Sequence, residues 1–238
     1  MSILSELQSK KLGLLELISL GFNLYIKKNR LFLGVFLIYL PFLIISALFS
    51  YYFLIFSYNL YFLGLISIFN IFVYSIYSAT LCILTESCVL QENIQPKAVV
   101  KWILSHMLPL IGLEIRFFIT SYLLSFLLVV PGIIYFINND FSSHAFILRG
   151  QRGKAAFLYS RTLVKGNWWK AFLFTLLTYL IFLGLQAIFT KIFNINITSV
   201  ANSSILISVI SSALIQLILL GFGICKVLLF LNLEFQKQ

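Results

Sequence analysis

Residues 129 to 170 read VVPGIIYFINNDFSSHAFILRGQRGKAAFLYSRTLVKGNWWK, and whether this stretch crosses a membrane decides the fold. It holds the chain's one Pro-Gly pair, a polar run from Asn138 to His144 inside apolar sequence, a dense basic cluster and two adjacent tryptophans, Trp168 and Trp169. Proline restricts the residue before it to extended backbone, and glycine reaches positive φ. Pro131-Gly132 therefore predicts a tight reversal between a span ending near Val130 and another beginning at Gly132.

The rest of the chain sets this stretch in a bilayer. Its 238 residues are 61% hydrophobic and 10% charged, whereas soluble domains carry about 25% charged residues. A net charge of +10 would suit nucleic acid only on a solvated basic face; here Lys and Arg sit in short clusters between apolar runs, the spacing of positive-inside topology. No nucleic-acid partner is expected. No cleavable signal peptide is expected, because the first ten residues are polar and the first long apolar run, from Leu31, has the length of a span. Cys82, Cys88 and Cys225 lack metal-ligand spacing and read as buried free thiols.

Taken in order, residues 8–28 predict an interfacial helix. Glu16, Ser19, Asn23 and Lys27 share one face, while Leu14, Leu17, Ile18, Gly21, Leu24 and Tyr25 share the other. Spans follow at about 31–56, kinked at Pro41, and 60–84, joined by an uncharged turn at Ser57, Tyr58 and Asn59. Thr85 to Gln95 is a polar connection, and Pro96 opens the next helix, which becomes a span over about 107–130. Further spans are expected at 132–148, 168–189 and 205–230, with a basic amphipathic cytoplasmic segment over 150–167.

The fourth span is the costly one, since Asp140 alone would cost about 2.5–3.5 kcal/mol on insertion scales. If residues 138–167 were instead a soluble loop, five spans would remain, and Arg149, Arg152, Lys154, Arg161 and Lys165 would face the side opposite Lys10, Lys11, Lys27, Lys28 and Arg30. Six spans place both clusters, with Lys97, Lys101, Lys226 and Lys237, in the cytoplasm together with both termini. The expectation is therefore an all-α integral membrane protein, a single membrane domain over residues 1–238. Its six transmembrane helices form three hairpins, each preceded by an amphipathic basic interfacial segment. A short internal echo fits this layout: Tyr25-Ile-Lys-Lys-Asn29-Arg-Leu before the first span, Leu163-Val-Lys-Gly-Asn167-Trp-Trp before the fifth, and Val99-Val-Lys101-Trp102 before the third.

Pro131-Gly132-Ile133-Ile134, Gly150, Ala155-Ala156, Ser160, Leu163 and Gly166-Asn167-Trp168-Trp169 resemble the signature of a six-helix bacterial membrane family. That family includes the membrane domain of some glycerophosphoryl diester phosphodiesterases, and YciC-type inner-membrane proteins look like its relatives. Leu228 to Glu234 is similar to the family's closing segment. The resemblance implies a six-helix inner-membrane protein. It transfers no hydrolase activity, because no hydrolase domain follows the sixth span. This chain lacks the prolines the family often has near Ser143 and His144 and the acidic residue near Arg149.

Seven consecutive polar-run positions cover every direction around a helix, so 138–144 either breaks the helix or borders water. Glu114, Arg116, Asn138, Asn139, Asp140, Ser143 and His144 are the candidate lining of a polar cavity for a headgroup, solute or ion. The alternative is polar groups paired inside the bundle. Glu114 and Arg116 point about 200° apart on a helix, so Arg116 is expected to reach Asp140 and Glu114 to meet Arg149 or His106. Lys154, Arg161 and Lys165, with Trp168 and Trp169, are candidate contacts for anionic membrane lipid or a membrane-protein partner. Asn196-Ile-Thr198 and Asn202-Ser-Ser204 match the glycosylation pattern by chance. With no paired carboxylates, metal-spaced His/Cys cluster, GxSxG or phosphate loop, neither catalysis nor a cofactor is expected. The leading reading is a non-enzymatic protein that binds lipid or a membrane partner, and the alternative a small transporter or channel passing Asp140 and His144.

Overall fold

The computed structural model describes residues 3–55, 60–92, 96–192 and 205–237. All regular structure among them is helical: α1 Ile3–Ser9, α2 Leu14–Lys27, α3 Asn29–Ile55, α4 Leu60–Leu90, α5 Pro96–Leu127, α6 Val129–Asn139, α7 Ser142–Arg149, α8 Lys154–Val164, α9 Trp168–Ile192 and α10 Ile205–Phe235. Five helices, α3, α4, α5, α9 and α10, are long and apolar enough to cross a membrane. The turn at 57–59, part of the connection before Pro96, and Asn196 and Asn202 lie outside the described residues.

The expected interfacial helix is two helices. The chain leaves α1 at Lys10, and Glu16 reaches back to accept the Gly13 N–H at 2.8 Å, half of a capping box that starts α2. A hydrogen bond from Lys10, together with that from Gly13, holds the Glu16 carboxyl below the usual range. The amphipathic split is the one expected, with Leu17, Gly21 and Leu24 buried and Glu16, Ser19, Asn23 and Lys27 exposed. The buried face packs on protein, however. A Cβ on Gly21 would lie 3.1 Å from Cys225 Cα of α10, and the Phe22 and Phe222 rings meet edge to face at 5.2 Å.

Two further expectations are corrected. Helix α4 continues to Leu90, well into the segment expected to be a polar connection, while Pro96 opens α5 as expected. The reversal falls at Leu128, extended at φ −153°, and not at Pro131-Gly132. Proline sits in the first turn of α6, where a missing N–H costs nothing. Gly132 does not turn the chain; it lets α6 approach α5 so closely that a Cβ there would lie 2.6 Å from Ser125 Cα. Pairs 132 with 125 and 143 with 114 run in opposite senses along the two segments, so α6 and then α7 lie antiparallel to α5.

Over residues 132–148, where a fourth span was expected with its helix either broken or bordering water, the structure has α6 and α7, separated at Asp140-Phe141. Each is far shorter than the ~20 residues a crossing helix needs. The break is closed by α8: Ser160 Oγ accepts the Phe141 N–H at 3.1 Å and donates to the Asn138 carbonyl at 2.8 Å. Gly150, at φ 64°, ends α7 in the left-handed region that glycine alone enters without strain.

Both described ends of the chain lie at one end of the bundle. Asn232 Nδ2 donates to the Leu7 and Lys10 carbonyls, and Gln236 reaches those of Leu7 and Gln8. At the same end Arg149, at the foot of α7, binds Glu86 on α4 and Glu234 on α10.

Candidate functional site

The site is built where the broken segment meets α4, α9 and α10. Asp140 caps α6, and the break turns its carboxylate towards α10, where Lys226 Nζ donates to Oδ1 at 2.7 Å; Thr175 of α9 donates more weakly to Oδ2 at 3.4 Å. The Asp140 side chain is 6% exposed. An ion pair this buried stands only because each charge neutralises the other.

Beside the pair lies a cavity of about 380 Å³. Tyr74, Tyr77, Ser78 and Cys82 of α4 form one wall, Thr175, Thr178 and Tyr179 of α9 another, and Gln216, Gly223 and Lys226 of α10 a third, with His144 of α7 at the base. Most of its surface is apolar. Gln216 and Lys226 are ten positions apart on α10, so the cavity runs about 15 Å along the helices. The hydroxyls of Tyr74, Tyr77 and Tyr179 and the Gln216 amide have no hydrogen-bond partner among the described residues. The buried Nδ1 of His144 has none either.

The residues singled out in the sequence fall into three places. His144 lines the cavity. Asn138, Asn139, Asp140 and Ser143 are consumed in holding the break together: Asn139 donates to the Tyr135 carbonyl and accepts from Arg161 Nε, and Ser143 donates to Glu114 at 2.6 Å. Glu114 is 2% exposed. Arg116 points away, its guanidinium 5.6 Å over the Phe157 ring. The expected pairings of Arg116 with Asp140, and of Glu114 with Arg149 or His106, are thus replaced. His106 stacks on Trp102 at 4.6 Å.

Lys226 was missed, having been assigned to the cytoplasm as a topology charge; its hydrophobic neighbours on both sides were the only hint that it lay deeper. Arg149, expected in the cytoplasmic basic cluster and as a candidate partner of Glu114, instead pairs with Glu86 and Glu234 and is the hub of that end of the bundle. Tyr159 donates to the same Glu234, and burial, with that bond, pushes its hydroxyl up to about 12, so it stays a donor throughout the physiological range.

No family model, no curated protein and no solved structure matches the chain. What the site can do is therefore read from its own chemistry. Cys82, Cys88 and Cys225 are free thiols, and among the described residues no three His, Cys, Asp or Glu side chains gather as a metal would require.

Lys154 and Arg161 of α8 and Lys165, which follows it, are exposed, as are Leu158, at 60%, and Trp169 of α9, at 69%. Trp168 is half-buried and stacks on Phe172 at 5.2 Å.

Proposed function

We propose that this is a multi-pass membrane protein without catalytic activity that binds a lipid or related amphiphile in the cavity between α4, α9 and α10. The observation that carries the reading is the character of that cavity: an apolar lining, a few convergent polar groups, and a position between helices long enough to cross a bilayer. A lipid needs that combination, because one end of it must find polar partners at a depth where the bilayer offers none.

In this reading the chain crosses six times, α6 and α7 together making one discontinuous crossing. The pair covers about 20 residues, or roughly 30 Å of helix, enough for the hydrocarbon core. Support comes from its two ends, with Gly132 packed near the end of α5 and Arg149 bound to Glu86 and Glu234 at the opposite end. Irregular backbone is tolerated at membrane depth where protein buries it, as Ser160 does here. The end that gathers both termini and α8 is cytoplasmic by the charge rule. Lys154, Arg161 and Lys165, flanked by Leu158 and Trp169, then meet anionic headgroups at up to about 1 kcal/mol per basic residue. Kinship with the six-helix inner-membrane family suggested by Pro131-Gly132 and Gly166-Asn167-Trp168-Trp169 belongs to the same proposal.

The test is gentle extraction of the tagged protein from its own membrane and mass spectrometry of the lipid that stays bound. One class should be enriched over the bulk membrane and should disappear in Thr178→Trp, which fills the cavity. Bulk composition in both proteins would reject the reading. A second reading, a transporter, is favoured by one observation, the polar line from His144 to Gln216; it predicts solute flux in proteoliposomes that Thr178→Trp blocks.

A further inference from the structure

We infer that the cavity takes an amphiphile whose polar end is uncharged and bears hydroxyl groups, in chemical class an acylglycerol or long-chain polyol. This rests on the lipid-binding reading above and narrows its ligand.

Charge decides the class. Among the described residues the one charged side chain on the cavity wall is Lys226, and its ammonium is held 2.7 Å from Asp140. Asp140 and Glu114 are buried and do not line the wall. An anionic headgroup would have to draw Lys226 away and leave a buried carboxylate unpaired, a strongly unfavourable exchange. A cationic headgroup finds no free carboxylate among the described residues of the wall. The field the wall presents is that of a closed pair, close to neutral.

Among the described residues, five neutral wall groups have no hydrogen-bond partner: the hydroxyls of Tyr74, Tyr77 and Tyr179, the Gln216 amide, and Nδ1 of His144, a residue 4% exposed. Each hydroxyl both donates and accepts, as does the amide, so they complement hydroxyls on a ligand in either sense. They are spread over three helices along some 15 Å of cavity, which suits a headgroup with several hydroxyls better than one compact charge. Tyr179 is 56% exposed at one wall, leaving a way out for an acyl chain between helices.

The test compares two probes that differ by one phosphate, 1-oleoylglycerol and 1-oleoyl lysophosphatidic acid. Saturable binding to the full chain is measured in phosphatidylcholine nanodiscs at about 0.5 M salt, which screens adsorption to the basic surface of α8. Oleoylglycerol should bind at least about tenfold more tightly, and Tyr77→Phe with Tyr179→Phe should weaken it about tenfold, a small number of hydrogen bonds being at stake. The paired replacement Asp140→Asn with Lys226→Gln removes both charges at once and should keep the preference for oleoylglycerol over lysophosphatidic acid. Preference for lysophosphatidic acid, lost in that paired replacement, would show an anion held on Lys226 and overturn the inference while the lipid-binding reading stands. Saturable binding of neither probe would overturn both.

Discussion

Ser160 makes two hydrogen bonds at the point where the fourth apolar stretch stops being a helix, one to the Phe141 N–H and one to the Asn138 carbonyl. Both backbone groups would otherwise be orphaned inside the bundle. Ser160→Ala should therefore cost about 1–3 kcal/mol, read as a shift of the unfolding midpoint in mixed micelles. Asp140→Asn leaves the half-buried Lys226 without its counter-charge and should cost up to about 3–5 kcal/mol, whereas Asp140→Asn with Lys226→Met should recover most of that loss; the same unfolding assay separates the two. At this scale the sequence was half legible. The polar run marked the break, because six polar side chains within seven consecutive positions point in every direction around a continuous helix and cannot share one face. Their partners were not legible: Lys226 lies 86 positions from Asp140, and nothing local distinguishes a lysine that enters the bundle from one that sets topology.

Among the elements, the long apolar runs announced themselves, since only helices of their length satisfy the backbone across a bilayer. Boundaries were less legible. Pro131-Gly132 reads equally well as a reversal or as the first turn of a helix, and what chose the second was the contact with Ser125, a tertiary fact. That contact makes a paired prediction. Gly132→Ala places a methyl against Ser125 backbone and should cost about 1–3 kcal/mol by forcing α5 and α6 apart, while at Gly112 a Cβ meets nothing within 4 Å and Gly112→Ala should be neutral or stabilising by up to about 1 kcal/mol. Helix α2 teaches a related point. Its apolar face was read correctly, but periodicity does not say what covers a face, and here α10 covers it.

For the molecule as a whole, the charge rule assigned the basic segments and both termini to one side, and Lys226, assigned with them, pairs with Asp140 at the cavity. Arg149, Tyr159, Glu86, Glu234 and the two chain ends meet at one end of the bundle. Cysteines introduced at Lys154 and Lys237 should thus react with an impermeant maleimide from the same side of sealed vesicles; labelling from opposite sides would refute the six-crossing arrangement. The cavity was the least legible feature, because its wall combines residues from α3, α4, α7, α9 and α10 and no short motif spans them. The account stands on that cavity holding a lipid, and photo-crosslinking in the native membrane tests it most directly. A benzophenone amino acid replaces Tyr179 on the cavity wall or Leu123 on the exposed side of α5. The Tyr179 position should capture one lipid class in excess over the bulk, and Thr178→Trp should abolish the excess, while the Leu123 position samples the bulk. Capture of the same bulk mixture at both positions would contradict the account.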